Sequence, residues 1–266
     1  MVTKQDLIDS FKALGLCEGD ICLFHSSFKS LGTVENGAQS VIDAFEKVIG
    51  KEGTLVAPTL CSVDFSNSYK TWYMDKPSDV GYLTEFFRKQ MYVYRSNHPT
   101  HSIAARGKKA YELTFEHDWR GPHICPFGEY AFADSSPWVK MERMNAKIVF
   151  IGVNMHYNTM KHVVEGRMVE HFLSQVKDDL RREELKGQLK KFGIPQGFWP
   201  FYNSIKMQER LEDLGLVKHA ECGDAELILV DAKTTNEVAL NILINEFEQW
   251  FDEKVCDWIG ECLKDV

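Results

Sequence analysis

The sequence predicts an α/β protein with a largely parallel or mixed central sheet covered by helices. Two observations carry this prediction: amphipathic segments alternate with short apolar runs, and the connections between them are short. Such alternation is typical of strands joined through helices that pack on the sheet. No linker divides the 266 residues, so we expect one domain over residues 1–266.

The first half of the chain supplies four clear elements in order. Apolar side chains recur at helical spacing after Thr3, at Leu7, Ile8, Phe11 and Leu14. The run "ICLFHSS" predicts a strand, "NGAQSVIDAFEKVIG" an amphipathic helix and "GTLVAPTL" a second buried strand. Residues 62–80 are polar and irregular, which favours a loop over a site, and "GYLTEFFRKQ" returns to helix.

The second half of the chain supplies further strands and helices by the same patterns. The stretch "YVYRSNHPTHSIAARG" predicts a short strand followed by a polar turn, and "AKIVFIGV" and "AELILVDA" predict buried strands. The charges of "HFLSQVKDDLRREELKGQLKKFG" favour an exposed helix or lid, so residues 170–205 are expected to form a divergent lid or substrate-binding segment. The segment "NSIKMQERLEDLGL" is amphipathic, and the last thirty residues predict one long terminal helix.

Composition excludes several classes of function. The net charge of -8 argues against nucleic acid as a partner, because duplex binding depends on basic side chains that neutralise phosphates. The seven cysteines are scattered without a C-x-x-C pair, which favours free thiols in a reducing compartment. The N-terminus lacks an apolar signal core, and no run approaches the ~20 apolar residues of a membrane span. We therefore expect a cytoplasmic protein with no membrane partner.

The stretch "NTMKHVVE" places Thr159, His162 and Glu165 at steps of three, so that they share one face of a short helix. A histidine oriented by a carboxylate is what a general base requires. The same spacing also describes an ordinary solvent-exposed ion pair, worth a few tenths of a kcal/mol. Spacing alone leaves both interpretations open.

A second candidate, "HSSFKSLGTVENG", follows a predicted strand and leads into a helix. Its hydroxyl groups, one ammonium and the N–H groups at the helix start are suited to hold phosphates or an extended polar chain. A serine-rich capping turn with an exposed lysine explains the pattern equally well. The candidate binding residues are Ser26, Ser27, Phe28, Lys29, Ser30, Leu31, Gly32, Thr33 and Val34.

The third candidate, "RSNHPTHS", carries Arg95, His98 and His101 around a proline. The two histidines have the chemistry of metal ligands, but no third ligand lies at a suitable spacing, so no metal is expected. We interpret them as loop histidines that shape a pocket.

Four ordered stretches together resemble one family. "LGLCEGDICLFHSSFKSLGTVENGAQSVIDAFEKVIGKEGTLVAPTL", "RSNHPTHSIAARG", "SSPW" and "KIVFIGVNMHYNTMKHVVE" occur in the order and at about the separations found in aminoglycoside 3-N-acetyltransferases. The resemblance is strong over residues 5–170 and weak beyond them. It favours the catalytic interpretation of His162.

The resemblance implies an acetyl-CoA-dependent N-acetyltransferase that transfers the acetyl group directly, without a covalent acyl-enzyme. His162 matches the family's catalytic histidine, Glu165 matches its acidic partner, and Thr159 is expected beside them. The motif from Ser26 to Val34 is expected to line coenzyme A. Arg95, His98 and His101 match a motif near the cleft, where we expect them to contact substrate.

The substrate is predicted from the divergent second half. Its basic side chains and the aromatic run "FWPFY" suit a nucleotide-linked amino sugar of surface-polysaccharide biosynthesis, with Arg181 and Trp199 as substrate contacts. A solvated helix face explains the basic side chains equally well. The alternative is an aminoglycoside and antibiotic resistance. A non-catalytic CoA-binding protein is the alternative from another class. In each case the partner is a small molecule, and a homodimer stays open.

Overall fold

A computed structural model describes residues 1–61, 63, 65–117, 131–189 and 200–264. Within these ranges the strands form one sheet in the order β3-β4-β2-β1-β5-β7-β6. The strands are β1 (Ile21–Ser26), β2 (Thr54–Pro58), β3 (Tyr94–Arg95), β4 (Ile103–Gly107), β5 (Lys147–Ile151), β6 (Lys218–Cys222) and β7 (Ala225–Asp231). The helices are α1 (Lys4–Leu14), α2 (Ala38–Ile49), α3 (Phe65–Thr71), α4 (Tyr82–Arg88), α5 (Ala110–Thr114), α6 (Pro137–Arg143), α7 (Lys161–Gln175), α8 (Asp179–Gln188), α9 (Ser204–Asp213), α10 (Ala232–Asn245) and α11 (Glu253–Leu263).

The prediction allowed a largely parallel or a mixed sheet, and the sheet is mixed. Strand β1 runs parallel to both of its neighbours, β2 and β5. The outer strands add on in antiparallel fashion, β4 and β3 beside β2, and β7 and β6 beside β5. The largely parallel arrangement is therefore found only in the centre. Hairpin connections at the edges explain the difference, because they join antiparallel strands without a crossover helix.

One face of the sheet is covered by α1, α2 and α4. Thr3 and Asp6 form a capping box at the start of α1, and Gly15 ends that helix with a φ of 107°. The Phe11 ring stacks on Phe45 of α2 at 3.9 Å between ring centroids. Helix α1 also packs on the edge strand β6. The first helix therefore depends on a strand about 200 residues later in the chain.

The opposite face is covered by α6, α7, α10 and α11, with further buried side chains from α5, α8 and α9. Trp138 is fully buried there and donates its indole N–H to the carbonyl oxygen of His101 at 3.0 Å. Glu142 of α6 bonds Arg167 of α7 and accepts from Asn236 of α10 at 3.2 Å. These polar contacts fix α7, which carries His162, to its neighbouring helices.

The predicted long terminal helix is wrong. Helix α10 ends at Asn245, a 3₁₀ turn follows at Phe247–Gln249, and α11 begins at Glu253. The side chain of Asp252 caps α11 by accepting from the Val255 N–H at 3.0 Å. A carboxylate at this position favours the start of a new helix over continuation of the previous one.

Three further elements were not predicted. Strand β4 lies where a polar turn was expected to continue, α3 lies within the expected loop, and β6 pairs with β7 across a Gly223-Asp224 turn. The φ of 60° at Gly223 fits the turns that close two-residue hairpins. "HFLSQVKDDLRREELKGQLKKFG", expected as one exposed helix or lid, instead spans the end of α7 and α8.

In the described part of the chain, every helix is too short or too polar to cross a membrane.

Candidate active site

The site lies at the carboxyl ends of β1 and β5. The chain passes from β1 through α2 to β2 on one side, whereas β5 pairs with the other side of β1. Open α/β sheets bind ligands at this kind of reversal, outside the strand ends. The Ser27 N–H donates to the Ile151 carbonyl oxygen at 2.9 Å, which holds the two chain segments together as they leave the sheet.

His162 and Glu165 form the central pair. They occupy the first turns of α7, and His162 Nδ1 lies 2.7 Å from Glu165 Oε2. The Glu165 side chain is fully buried and that of His162 is 13% exposed. This is not a solvated surface pair. Because Nδ1 is engaged by Glu165, proton exchange with a ligand would take place at Nε2.

Burial controls the protonation of this pair. It lowers the pKa of His162 well below its ordinary value of 6.5, and the nearby Lys161 charge lowers that pKa further. Burial also raises the pKa of Glu165 well above its ordinary value, while Lys161 and the Tyr202 N–H act in the opposite direction. His162 is therefore a neutral imidazole at neutral pH. It can act as a base through Nε2 in the state where the proton of the 2.7 Å contact lies on Nδ1 and Glu165 is a carboxylate.

Aromatic rings surround the imidazole of His162. The ring centroids of Phe132 and Phe201 each lie 5.3 Å from that of His162. His101 packs against it at 6.0 Å with its plane at 90°. Phe201 belongs to the "FWPFY" run, so part of that run reaches the site. These rings supply the desolvation that lowers the pKa of His162.

A row of hydrogen bonds fixes the neighbouring histidines. His98 Nδ1 accepts from the backbone N–H groups of Thr100 and His101 at 3.3 and 3.1 Å. A nitrogen that accepts these bonds carries no proton, so the Thr100 hydroxyl donates to it at 3.3 Å. The same hydroxyl lies 2.9 Å from His101 Nδ1 and is positioned to accept from it. Within these contacts His101 carries its proton on Nδ1, and burial lowers its pKa well below the ordinary value.

His117 extends this row and was missed by sequence reasoning. Its ring stacks on His98 at 4.6 Å between centroids. Its Nε2 donates to the Ala131 carbonyl oxygen at 3.2 Å, so its Nδ1 accepts from the Ser96 hydroxyl at 2.9 Å. His117 lies outside the recognised motifs, and no signal in the sequence connects it to Ser96.

Thr159 precedes α7 and is buried. Its carbonyl oxygen accepts from the His162 N–H at 3.3 Å, which helps to form the first turn of the helix. A catalytic role for the Thr159 side chain stays a prediction.

The predicted cofactor motif begins at the end of β1 and forms a 3₁₀ turn over Phe28–Leu31. Within the turn, the Ser30 hydroxyl donates to the Ser27 carbonyl oxygen at 2.6 Å. A methyl group added to Gly152 would overlap Ser30 Oγ, so only glycine allows this close approach to the loop after β5. Lys29, Gly32 and Thr33 are exposed, Leu31 is buried, and the remaining motif residues are partly buried.

The structure gives Arg95 partners within the protein. Its guanidinium donates to Thr59 O, Met74 O, Lys76 O, Ser102 Oγ and Cys61 Sγ. These contacts engage all five of its N–H groups, and they join the segment after α3 to the ends of β2 and β4. Arg95 also lines an open cavity of about 800 Å³ with Tyr94 and Tyr111. A contact between Arg95 and substrate stays a prediction.

Arg181 and Trp199 are the remaining predicted substrate residues, and the structure describes the first of them but not the second. Arg181 of α8 forms ion pairs with Glu184, at 2.6 Å, and with Glu261 of α11, at 2.8 Å. These contacts anchor α8 to the terminal helix. Trp199 lies outside the described residues.

His25 is a further residue that sequence reasoning missed. It is the last buried residue of β1, and its ring stacks on Phe150 of β5 at 5.2 Å between ring centroids. Among the described residues its Nε2 has no hydrogen-bond partner, and burial lowers its pKa to about 3. An unsatisfied polar atom directly before the predicted cofactor motif fits a ligand-binding site at this strand end. In the described residues, no three His, Cys, Asp or Glu side chains are grouped to hold a metal ion.

A comparison with protein families matches residues 23–244 to the model described as aminoglycoside 3-N-acetyltransferase. The chain belongs to the aminoglycoside 3-N-acetyltransferase family. One curated relative is an SPbeta prophage-derived aminoglycoside N(3')-acetyltransferase-like protein, YokD, of Bacillus subtilis (strain 168), 30% identical over 188 residues. That match covers 62% of this chain and 65% of the relative, so the chain spans slightly less than two thirds of it.

Solved structures share the fold of this family member. A binary complex of AAC-IIIb with CoASH superposes with a TM-score of 0.69 at 19% identity, covering 92% of this chain and 97% of the other. A variant of aminoglycoside acetyltransferase AAC(3)-IVa in complex with a gentamicin gives 0.70 at 20% identity, covering 100% and 98%. The predicted fold class is thereby confirmed.

Proposed function

We propose that this family member is an acetyl-CoA-dependent N-acetyltransferase that acetylates a primary amine of an amino sugar. The observation that carries the proposal is the His162–Glu165 pair, 2.7 Å apart, at the start of α7. Membership of a family described as acetyltransferases supports the reaction type. The similarity in fold to a CoASH complex supports the cofactor.

Acetyl-CoA supplies an acetyl group on a thioester, which an unprotonated amine attacks at the carbonyl carbon. His162 Nε2 removes the proton that the amine nitrogen must lose, while Nδ1–H stays bonded to Glu165. The buried carboxylate stabilises the imidazolium that forms and fixes the ring orientation. His162 then returns the proton to the departing sulfur, which restores the neutral base.

The residues present fit coenzyme A at the end of β1. His25 Nε2, which has no hydrogen-bond partner within the described ranges, and the motif from Ser26 to Val34 lie together at the strand reversal that binds ligands in such sheets. These residues would hold the pantetheine arm and phosphates, with Lys29 as a cation for the latter. The assignment of individual contacts within the motif stays a prediction.

The comparisons favour the aminoglycoside alternative over the nucleotide-linked amino sugar. The family and the relative both carry the aminoglycoside name, and one similar structure contains a gentamicin. Nothing in the comparisons supports a role in polysaccharide synthesis. Residues 170–205 remain our proposed substrate segment, because Phe201 contacts His162 and Tyr202 is buried near Glu165.

The test is acetylation of gentamicin and apramycin by the purified protein with acetyl-CoA, read by mass spectrometry of the amine. Mass detection is preferable to thiol reagents because the protein has free cysteines, including the exposed Cys17. We expect one acetyl group per reacting amine. Tight CoA binding without acetylation of any amine would instead indicate the non-catalytic binding protein. Cytoplasmic location and a homodimer stay predictions.

A further inference from the structure

The proposed cofactor motif, Ser26 to Val34, has little internal support for its shape. Its helical part is the short 3₁₀ turn over Phe28–Leu31, and the Ser27 side chain does not cap that turn. Such turns have poor hydrogen-bond geometry and are uncommon beyond ~4 residues. The position of the motif is therefore set largely by the parts of the protein that pack against it.

Val2, which lies before α1, holds the second half of the motif. Its N–H donates to the Thr33 carbonyl oxygen at 2.7 Å, and its carbonyl oxygen accepts from the Glu35 N–H at 2.8 Å. These two bonds form a parallel bridge between Val2 and Val34. The Val2 side chain is buried in the same apolar cluster as Leu31. The segment before α1 and the motif are therefore packed as one unit.

The Gly223-Asp224 turn between β6 and β7 packs on this unit. Ala225, the first residue of β7, is buried in the same cluster. A methyl group added to Gly223 would overlap the Leu31 carbonyl oxygen and the Val2 side chain, which are its nearest neighbours. The backbone of the turn therefore lies directly against the backbone of the motif, and glycine allows this approach. A backbone carbonyl cannot move aside by a change of rotamer.

A second contact of the same turn reaches the next residue of the motif. A methyl group added to Gly32 would lie 2.8 Å from the carboxylate oxygen Oδ2 of Asp224. Glycine thus occurs on both sides of the contact, at Gly32 and at Gly223, so the turn and the motif approach more closely than larger residues would allow. A displacement of the turn would pass directly to the backbone of the motif.

We propose that the Gly223-Asp224 turn, together with Val2, positions the motif for coenzyme A, so that cofactor affinity depends on a hairpin turn outside the motif. This rests on the proposed function, which places coenzyme A at the motif. Hydrogen bonds weaken steeply when the donor is displaced or misaligned, so a shifted motif holds the cofactor less well. His162 and Glu165 belong to α7 rather than to this contact, so kcat at saturating acetyl-CoA should change little.

The first test compares Gly223→Ala with Gly215→Ala. The two glycines have similar φ values, 60° and 69°, so alanine strains the backbone alike at both. Only at Gly223 does the added methyl group meet the motif, since no described atom lies within 4 Å of one added to Gly215. We expect the Kd of CoA by calorimetry and the KM of acetyl-CoA to be about 5- to 20-fold higher in Gly223→Ala than in Gly215→Ala. The kcat and the KM of gentamicin should agree between the two within about 2-fold.

A second pair decides the question if Gly223→Ala does not fold. Val2→Ala is compared with Val48→Ala, because both valines are 6% exposed and lie in one apolar cluster. Val48 lies in the last turn of α2, whereas the motif precedes the first turn of that helix. Both variants should lose similar stability. Only Val2→Ala should also weaken CoA binding, by about 2- to 5-fold.

The positioning role and the proposed function fail separately. Equal CoA affinities within each folded pair of variants would overturn the positioning role and leave the cofactor assignment intact. A raised KM of gentamicin with an unchanged KM of acetyl-CoA would also overturn it, because the turn would then position the amine. Wild-type protein that does not bind CoA in the calorimeter would remove the cofactor assignment and the positioning role together.

Discussion

The two faces of the central sheet are built from different side chains. On the face covered by α1, α2 and α4, Phe24 of β1 and Phe11 stack on Phe45, and the surrounding cluster is apolar. On the opposite face, the buried groups include His25, His101 and Glu165 beside the aromatic side chains, and His162 is nearly buried. Phe24 and His25 are consecutive residues of β1, so their side chains point to opposite faces of the sheet.

This difference predicts that the apolar face mainly stabilises the fold, whereas the face with titratable groups carries the chemistry. Stacked rings gain from burial and from favourable ring contacts without any desolvation of charge. Buried titratable groups cost free energy unless they are hydrogen-bonded or kept neutral, and such groups concentrate at functional sites. Substitutions on the two faces should therefore change different properties, and four predictions test that division.

The largest effect is expected for His162→Asn, which keeps a polar side chain but removes the base. We expect kcat/KM to fall by about 10²- to 10⁴-fold, with little change in CoA affinity or melting temperature. In wild type, the acid limb of the pH–rate profile should lie below pH 6.5, because burial lowers the pKa of His162 and protonation would abolish the base. Near-normal turnover by the variant would remove His162 from the mechanism.

The strongest effect on stability is expected from the other face. Phe45→Ala removes a ring that stacks on both Phe11 and Phe24 and should lower the free energy of unfolding by about 3–5 kcal/mol. Under conditions where the variant is folded, kcat should stay near the wild-type value. Denaturant unfolding and initial rates measure the two quantities. A large loss of kcat in the folded variant would show that the faces are coupled.

Arg95 lies between these cases, because it is polar and near the site yet bonded to the protein. Arg95→Met leaves the carbonyl oxygens of Thr59, Met74 and Lys76 without these donors and should cost about 2–3 kcal/mol. The matched control is Arg106→Met of β4, whose ion pair with Glu46 is partly exposed and should be worth at most about 1 kcal/mol. If Arg95→Met raises the KM of the amine without loss of stability, Arg95 contacts substrate as first predicted.

The smallest effect is expected on the pH dependence of stability, through His25. His25 is neutral when folded, with a pKa of about 3, and regains its ordinary pKa near 6.5 on unfolding. The unfolded chain therefore binds the extra proton below pH 6.5, and stability should fall by about 1.5 kcal/mol between pH 6.5 and 5 from this group. His25→Leu should flatten that part of the pH dependence of unfolding. An unchanged slope would mean that His25 is not buried as a neutral group.

Local patterns in the sequence predicted the central elements and the base. Strands β1, β2, β5 and β7 are apolar runs, and the i,i+3 step of His162 and Glu165 is a local feature of a helix. Strand β4 and the edge strand β6 lack such runs, because only part of each is buried. The overlooked signals there were the Gly223-Asp224 turn and, for α11, the capping residue Asp252.

The rest depends on contacts between distant residues. The partners of Arg95 include the backbone carbonyl groups of Met74 and Thr59. Every residue has such a group, so nothing in the sequence marks these two as hydrogen-bond partners. The unsatisfied nitrogen of His25 and the pairing of His117 with Ser96 likewise arise only when the chain is folded. From the sequence, Arg95 in the "RSNHPTHS" motif is therefore interpreted as a ligand contact, because the hydrogen bonds that give it a structural role cannot be read from the sequence.

The packing of α1 on β6 has a consequence for biosynthesis. Ser10 of α1 donates its hydroxyl to the Glu221 carbonyl oxygen at 2.7 Å, so a helix made among the first residues meets part of its binding surface only after some 200 more have been translated. Until then its buried face, which includes Leu7 and Phe11, packs on α2 but lacks its contacts with β6 and β7. Nascent chains that stall before β6 would expose apolar surface to chaperones and to one another. The buried face of α1 is therefore completed only after the residues of the candidate site have been translated.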